Sequence, residues 1–282
     1  MTGTLKLPEP AWFVGCGNMG GAILDGWRMG GLDLSPVTVI RPSGKAVEGT
    51  RVVTSFKEAG SPPKIVVLAF KPQKLDEIAP DLRRHLSANS TVVSMLAGVE
   101  AESLRQRFPA VKAVVRAMPN LPVAVRRGVT GLYSPDVDAL TKVELNNLFS
   151  ALGYAMWMAD ERKFSALGSV AGAGPAYVAR FIAALAKAGV RRGLTEEIAA
   201  TLALETVLGT AWMAANTGEN MQSLAKRVAS PKGTTEAGLA VLDHDHVLEE
   251  LIALAIDAAA RRGAEIAEKV KSASLAEAPH LS

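Results

Sequence analysis

Residues 12–20 read Trp-Phe-Val-Gly-Cys-Gly-Asn-Met-Gly. They join a short apolar run, Trp12–Val14, to the helical pattern of Gly20–Gly30. Gly15, Gly17 and Gly20 fill a G-x-G-x-x-G spacing that encloses Cys16, Asn18 and Met19. Alone, that spacing is common. Between a strand and a helix it is the fingerprint of a dinucleotide-binding turn. Gly15 permits the tight turn, Gly17 has no Cβ to keep a pyrophosphate off the backbone, and Gly20 lets helix and strand pack closely. The free N–H groups of the helix start then face the anion. A plain glycine-rich turn is the competing reading, and the strand–turn–helix context weighs against it.

Further runs follow at Val37–Ile40, Ile65–Phe70, Thr91–Met95, Ala113–Met118, Val129–Tyr133 and Tyr154–Met158. They are short and rich in Val and Ile, as strands are. Ile65–Phe70 shows no polar alternation, which fits a parallel strand buried on both faces. Helical stretches at Leu75–Leu86 and Ala101–Phe108 separate some of them. This order predicts an α/β fold, a Rossmann-like doubly wound sheet over residues 1–160, with the last runs free to pair differently at the edge.

Beyond Asp160 no run reads as a strand. Residues 175–190, 195–217, 221–229, 235–244 and 246–271 read as helices, separated by Gly189, Gly193, Gly218, Pro231 and Gly233. Thr195 and Ser223 are the expected N-caps, and the tail from Ser272 is expected to fray. Residues 161–282 therefore form an all-α domain. Its Ala-rich helices have little side-chain area to bury, at about 25 cal/mol per Å². Packing against a second copy resolves that shortage, so this half predicts a homodimer.

The second run selects the nucleotide. An NAD site places Asp or Glu at the end of that strand for the ribose 2′-hydroxyl. Here the strand ends in Arg41-Pro42-Ser43-Gly44-Lys45. Two cations and a hydroxyl suit a 2′-phosphate, which predicts NADP(H), with NAD(H) less favoured. A solvated basic loop is the competing reading. Ligands in this fold sit at strand carboxyl ends, which adds Ala69, Lys71 and Pro72 after the third run and Ala97 after the fourth. Lys71 reads equally well as a solvated lysine. Cys16 has no base beside it in sequence and reads as a small residue tolerated in the loop.

Composition narrows the classes. Hydrophobic residues make up 49% of the chain and the net charge is +3, which fits a soluble globular protein and leaves no basic stripe for nucleic acid. One cysteine excludes a disulfide framework, and no His/Cys cluster has metal-ligand spacing, so no metal is expected. The first ten residues hold two prolines and no apolar run, which predicts no signal peptide. No apolar run approaches the roughly 20 residues of a bilayer span. A cytoplasmic enzyme without a membrane partner is the expectation.

Five segments, in order, narrow this further: Phe13-Val-Gly-Cys-Gly-Asn-Met-Gly, Ala69-Phe-Lys-Pro-Gln, Arg116-Ala-Met-Pro-Asn, Gly172-Ala-Gly-Pro-Ala-Tyr and Ser230-Pro-Lys-Gly-Thr-Thr. Over residues 11–265 the chain resembles the pyrroline-5-carboxylate reductase family. The resemblance implies NAD(P)H reduction of 1-pyrroline-5-carboxylate, a cyclic imine carboxylate, to L-proline. It implies a helical domain interleaved with a partner's, a site between the cofactor domain of one chain and the helical domain of the dimer, and in many members a ring of dimers. By motif, Ser230, Gly233 and Thr234 would hold the substrate carboxylate. Thr235, as the catalytic orienter, would hydrogen-bond the ring nitrogen. Met118 and Pro119 would lie beside nicotinamide and substrate, with Asn120 against the cofactor. Gly174, Pro175 and Ala176 would open a helix of the dimer core.

The chain departs from the family pattern at Lys232, where glycine is frequent, and at Ala173, where serine is usual. It departs again at Leu121, where threonine is common, and at Phe56, where an asparagine often contacts the cofactor. His85, His244, His246 and His280 lie outside the motifs. Three other readings stay open here: a reductase of another cyclic imine, a β-hydroxyacid dehydrogenase lacking its flanking lysine pattern, and a non-catalytic NADP-binding protein.

Overall fold

The computed structural model describes residues 5–276, apart from the side chains of Ser165 and of residues 269–276. The chain divides into two compact units. One takes in the chain up to Ala173 and again from Ala259, and the other is Gly174–Ala258.

Among the described residues, the first unit is built on eight strands: β1 (Ala11–Val14), β2 (Val37–Ile40), β3 (Arg51–Val53), β4 (Ile65–Leu68), β5 (Thr91–Ser94), β6 (Ala113–Pro119), β7 (Gly128–Tyr133) and β8 (Gly153–Trp157). They lie in the order β3-β2-β1-β4-β5-β6-β7-β8. All neighbours are parallel except β6 and β7, which run antiparallel. The run β3-β2-β1-β4-β5-β6 is the strand order of dinucleotide-binding folds, with its reversal of direction between β1 and β4.

Period two explains why these runs lie in the sheet interior. Phe13, Val37, Val39, Val67, Val93 and Val115 join one core with Ile23, Leu24 and Trp27 of α1 (Asn18–Met29). Trp12, Val14, Val66, Leu68, Val92 and Val114 face the opposite core. After the short α2 (Phe56–Ala59), that second core is completed by α3 (Leu75–Arg84) and α4 (Ala101–Arg107). Then α5 (Ala139–Ser150) returns to the first core through Leu145, Leu148 and Phe149. Both faces are covered, so the strands tolerate no polar alternation.

Among the elements not foreseen are β3 and α5. Strand β3 is three residues at a sheet edge and begins with the exposed Arg51, which hides it from any apolar-run search. Helix α5 starts at Asp138, whose carboxylate accepts from the N–H groups of Leu140 and Thr141, both at 3.0 Å.

The linker that follows begins with a short helical turn at Glu161–Lys163 and continues as α6 (Phe164–Leu167). A π-helical turn, Gly168–Gly172, then leads to α7 (Gly174–Arg191). The second unit continues with α8 (Glu196–Thr217), α9 (Met221–Val228), α10 (Thr234–Leu242) and the start of α11 (Val247–Ala276). Thr195 caps α8, its hydroxyl accepting from Ile198 N–H. The cap of α9 is Asn220, which accepts from Ser223 N–H; Ser223 is the donor of that bond and not the cap expected from sequence. Helix α11 runs through Ala276, into the tail expected to fray from Ser272, and residues 277–282 lie outside the described residues.

By length and composition, two helical stretches among the described residues are apolar enough to cross a bilayer: Glu161–Arg191 and Glu196–Thr217, with mean hydropathies of 1.3 and 1.4. This corrects the expectation that no apolar stretch approaches that length, because the Gly, Ser and Thr between the apolar residues interrupt the runs without lowering the mean far.

Candidate functional site

The glycine turn sits at the carboxyl ends of β1 and β4. Gly15 has φ +79°, and a Cβ there would lie 2.8 Å from the Ala69 carbonyl oxygen. Only glycine fits both the left-handed backbone and the close approach. A Cβ on Gly20 would lie 3.1 Å from Ala69 Cβ, so the tight packing of the α1 start is against the end of β4. A Cβ on Gly17 would meet no atom within 4 Å, and that side of the turn is open. Gly17 is the N-cap of α1 and offers no side-chain cap, and the first turn of the helix carries no acidic residue. The Gly21 N–H is the first to bond back into the turn, to the Gly17 carbonyl at 2.9 Å. Asn18, Met19 and Gly20 therefore present N–H groups without helical partners at an open face. This is the donor set an anion requires.

Arg41 follows β2, and Arg41–Gly44 closes as a β-turn with Gly44 N–H donating to the Arg41 carbonyl at 3.1 Å. Ser43 and Lys45 are exposed on it, and the Ser43 hydroxyl accepts from Lys45 N–H at 3.4 Å. The Arg41 guanidinium is close enough to lower the Cys16 thiol pKa, but burial outweighs it and pushes the thiol up, with Asp25 adding to the rise. Burial thus disfavours the Cys16 thiolate. Arg41 of the β2 turn therefore lies near the glycine turn, as a site for a dinucleotide phosphate would require.

Lys71 is exposed after β4, and Pro72 opens the next turn. Ala97 is also exposed, after β5. Beside it, Gly98 has φ +76°, and a Cβ there would lie 2.9 Å from Ala267 Cα in α11. The small residue makes room for that helix.

Asn120 is buried, and its side-chain oxygen accepts from Val129 N–H at 2.7 Å while its amide nitrogen donates to the Ala171 carbonyl at 3.0 Å. Both ends of the amide are engaged by backbone, a tethering contact that the sequence did not announce. Met118 is half-buried on the same strand, with its sulfur 3.0 Å from where a Gly168 Cβ would stand. An interaction missed from sequence lies beside them. Arg116 is buried, its guanidinium 2.7 Å from Glu161 Oε1 and 4.6 Å above the Phe164 ring. The same Glu161 oxygen accepts from Ala101 N–H at 2.7 Å. An arginine inside the apolar run Ala113–Met118 was the available signal, because a buried cation requires a partner.

Ser230, Gly233, Thr234 and Thr235 belong to the other unit and form a group of their own. Ser230–Gly233 is a turn closed by Gly233 N–H on the Ser230 carbonyl at 2.9 Å. Pro231 takes its second position, and Lys232 takes the third with φ +59°. That position favours glycine, so the family departure at Lys232 sits at the one strained backbone of the turn. Gly233 is the N-cap of α10 and supplies no side-chain cap. Ala237 N–H makes the first bond back, to the Gly233 carbonyl, which leaves Thr234, Thr235 and Glu236 N–H without helical partners. The Glu236 carboxylate takes Lys232 N–H at 2.6 Å. Thr234 and Thr235 are exposed, so two hydroxyls and a row of N–H donors meet at one helix start, an arrangement suited to a carboxylate.

Two family models match the chain. Residues 12–98 match the NADP oxidoreductase, coenzyme F420-dependent family. Residues 161–266 match the pyrroline-5-carboxylate reductase dimerisation family. The pyrroline-5-carboxylate reductase of Pseudomonas aeruginosa is 36% identical over 268 residues, 92% of this chain and 97% of that protein. The structure of a pyrroline-5-carboxylate reductase from Coxiella burnetii superposes with a TM-score of 0.83 at 31% identity, covering 92% of this chain and 98% of that one. The Plasmodium falciparum pyrroline carboxylate reductase with NADP bound gives a TM-score of 0.81 at 25% identity, covering 94% and 98%. With its two-unit fold, its glycine turn and relatives matched along almost their whole length, this chain belongs to the pyrroline-5-carboxylate reductase family.

Proposed function

We propose that the chain reduces 1-pyrroline-5-carboxylate to L-proline with NADPH, by hydride transfer to the C=N bond. The observation that carries this reading is the full-length match to reductases of that name in a fold whose strand-order reversal holds an open, uncapped helix start. Cofactor binding falls to residues 1–160, and substrate binding and dimerisation to residues 161–282.

NADPH bound at the glycine turn supplies the hydride. Beside Gly15, Cys16 and Gly17, the N–H groups of Asn18, Met19 and Gly20 would hold its pyrophosphate, with Arg41, Ser43 and Lys45 on the 2′-phosphate and Ala69, Lys71, Pro72 and Ala97 along its flank. Met118 and Pro119 would stand beside the nicotinamide. Ser230, Gly233 and Thr234 hold the substrate carboxylate through hydroxyls and backbone N–H groups. The Thr235 hydroxyl hydrogen-bonds the ring nitrogen. An imine is most electrophilic when protonated, and its own nitrogen carries that proton. The protein therefore orients two small reactants in place of supplying a strong acid. Thr235→Ala should lower imine turnover roughly 10-fold to 100-fold, the worth of one hydrogen bond to a charged group, and leave the NADPH Kd unchanged. Unchanged turnover contradicts the assignment.

The helical unit supports a homodimer. Leu202, Leu204, Leu208 and Trp212 of α8 are each more than half exposed in the single chain, and α7 and α10 bury no residue fully. A helix apolar on all sides requires a cover. The match of residues 161–266 to a dimerisation family supports a second copy in that role and not lipid. A cytoplasmic location and a ring of such dimers are consistent extensions. A reductase of another cyclic imine is the second reading, motivated by the departures at Leu121, Ala173 and Lys232. Turnover across five- and six-membered cyclic imine carboxylates separates the two.

A further inference from the structure

Arg116, Met118 and Asn120 occupy alternate positions at the carboxyl end of β6, so their side chains share one face. The linker after Asp160 lies along that face and is held at three successive points. Arg116 pairs with Glu161 at 2.7 Å and covers Phe164. Met118 packs its sulfur onto Gly168. Asn120 donates to the Ala171 carbonyl at 3.0 Å. The neighbouring strand repeats the pattern in its register. Tyr133, opposite Arg116, meets Phe164 edge-on at 6.2 Å between ring centroids. Gly131, opposite Met118, lets Leu167 come so close that a Cβ would stand 2.3 Å from its Cδ2 atom.

The third point differs from the others because the linker changes its winding there. Gly168–Gly172 is a π turn, with Ala173 N–H bonding to the Gly168 carbonyl at 3.1 Å. Such turns leave the ordinary hydrogen-bond ladder and recur at functional sites. The Ala171 carbonyl is taken by the Asn120 amide. Its orientation is dictated by its neighbours, since only the oxygen can accept from Val129 N–H and only the nitrogen can donate to Ala171. Asn120 also donates its own N–H to the Val129 carbonyl at 3.1 Å. One residue thus joins β7, the end of β6 and the π turn.

We propose that Asn120 is a positioning residue for hydride transfer, clasping the π turn to the end of β6 and so fixing where Met118 and Pro119 stand. The inference rests on the proposed imine reduction, in which those two residues flank the nicotinamide. A displacement of about 1 Å in such a support costs on the order of 100-fold in rate, because reactant alignment is lost before binding is.

Asn120→Asp tests this with an isosteric change. The variant keeps the acceptor for Val129 and sets a carboxylate oxygen against the Ala171 carbonyl. At pH 8 we expect kcat roughly 100-fold below wild type, with the NADPH Kd unchanged in fluorescence titration and the imine KM little moved. Backbone amides of residues 168–173 should exchange hydrogen faster. As pH falls, the ratio of variant to wild-type kcat should recover, because the protonated carboxyl regains a donor for Ala171. Asn120→Ala has no donor to regain and should show no recovery. Weakened NADPH binding with unchanged exchange at 168–173 would overturn the proposal in favour of a direct cofactor contact. So would a kcat equal to wild type at every pH. If Asn120→Asp does not fold, Gly168→Ala decides. Its Cβ presses on the Met118 sulfur and should lower kcat with NADPH affinity intact, and an unchanged kcat would overturn the clasp. Wild-type protein inert toward the imine would sink the function itself, while the exchange measurement would still report on the clasp.

Discussion

The sheet and the helical unit are both rich in apolar residues, yet they dispose of them in opposite ways. Val37, Val39, Val66, Val92 and Val114 are wholly buried within one chain. In α8, Leu202, Leu204, Leu208 and Trp212 stand out from it. Strands present two faces at period two, and α1, α3, α4 and α5 cover both. The helices of the second unit are apolar around more of their circumference than one chain can cover. The sheet closes its core alone, and the helical unit calls for a second copy.

The most severe test of that contrast places charge on α8. Leu204→Glu with Leu208→Glu should abolish self-association in analytical ultracentrifugation at micromolar concentration. Burying unpaired carboxylates costs several kcal/mol each, on the order of a 1,000-fold or greater loss of affinity. A dimer that survives would remove α8 from the interface. Within the sheet, Gly15 and Gly17 should separate folding from binding. Gly15→Ala meets a left-handed backbone and the Ala69 carbonyl, and should cost roughly 2–4 kcal/mol of stability as well as NADPH affinity. Gly17→Ala points into open space. It should leave Tm unchanged and raise the NADPH Kd. Equal losses of Tm would break the claim that the open side of the turn is kept for ligand. The smallest effect is expected in the substrate turn. Lys232→Gly relieves a left-handed lysine and should stabilise by about 0.5 kcal/mol, the strain relief exceeding the added freedom of the unfolded chain. A fall in Tm would mean that Lys232 makes a stabilising contact.

Much of this was legible in the sequence, for reasons that differ between the regions. The glycine turn and five of the six parallel strands before β7 announce themselves, because a strand buried on both faces needs an unbroken Val/Ile run. Strand β3 escaped because three residues at an edge bury only Val53. Helix α5 was readable in retrospect. Asp138 caps it, and Thr141, Leu145, Leu148 and Phe149 mark its buried stripe, though polar residues between them masked the run. The Lys232 departure became meaningful only once its φ was known. The clasp on Asn120 could not be read at all, since it depends on a π turn and on Gly131 and Gly168 letting the linker approach.

The most direct test of the proposed function follows NADPH absorbance when purified protein meets 1-pyrroline-5-carboxylate, with NADH in a parallel cuvette. The account predicts rapid imine-dependent oxidation of NADPH and slower oxidation of NADH, reflecting Arg41 and Lys45. Equal rates with NADH would contradict the role given to the β2 turn. No oxidation of either nucleotide, with NADPH binding intact, would contradict the assignment of this chain as a reductase of that imine.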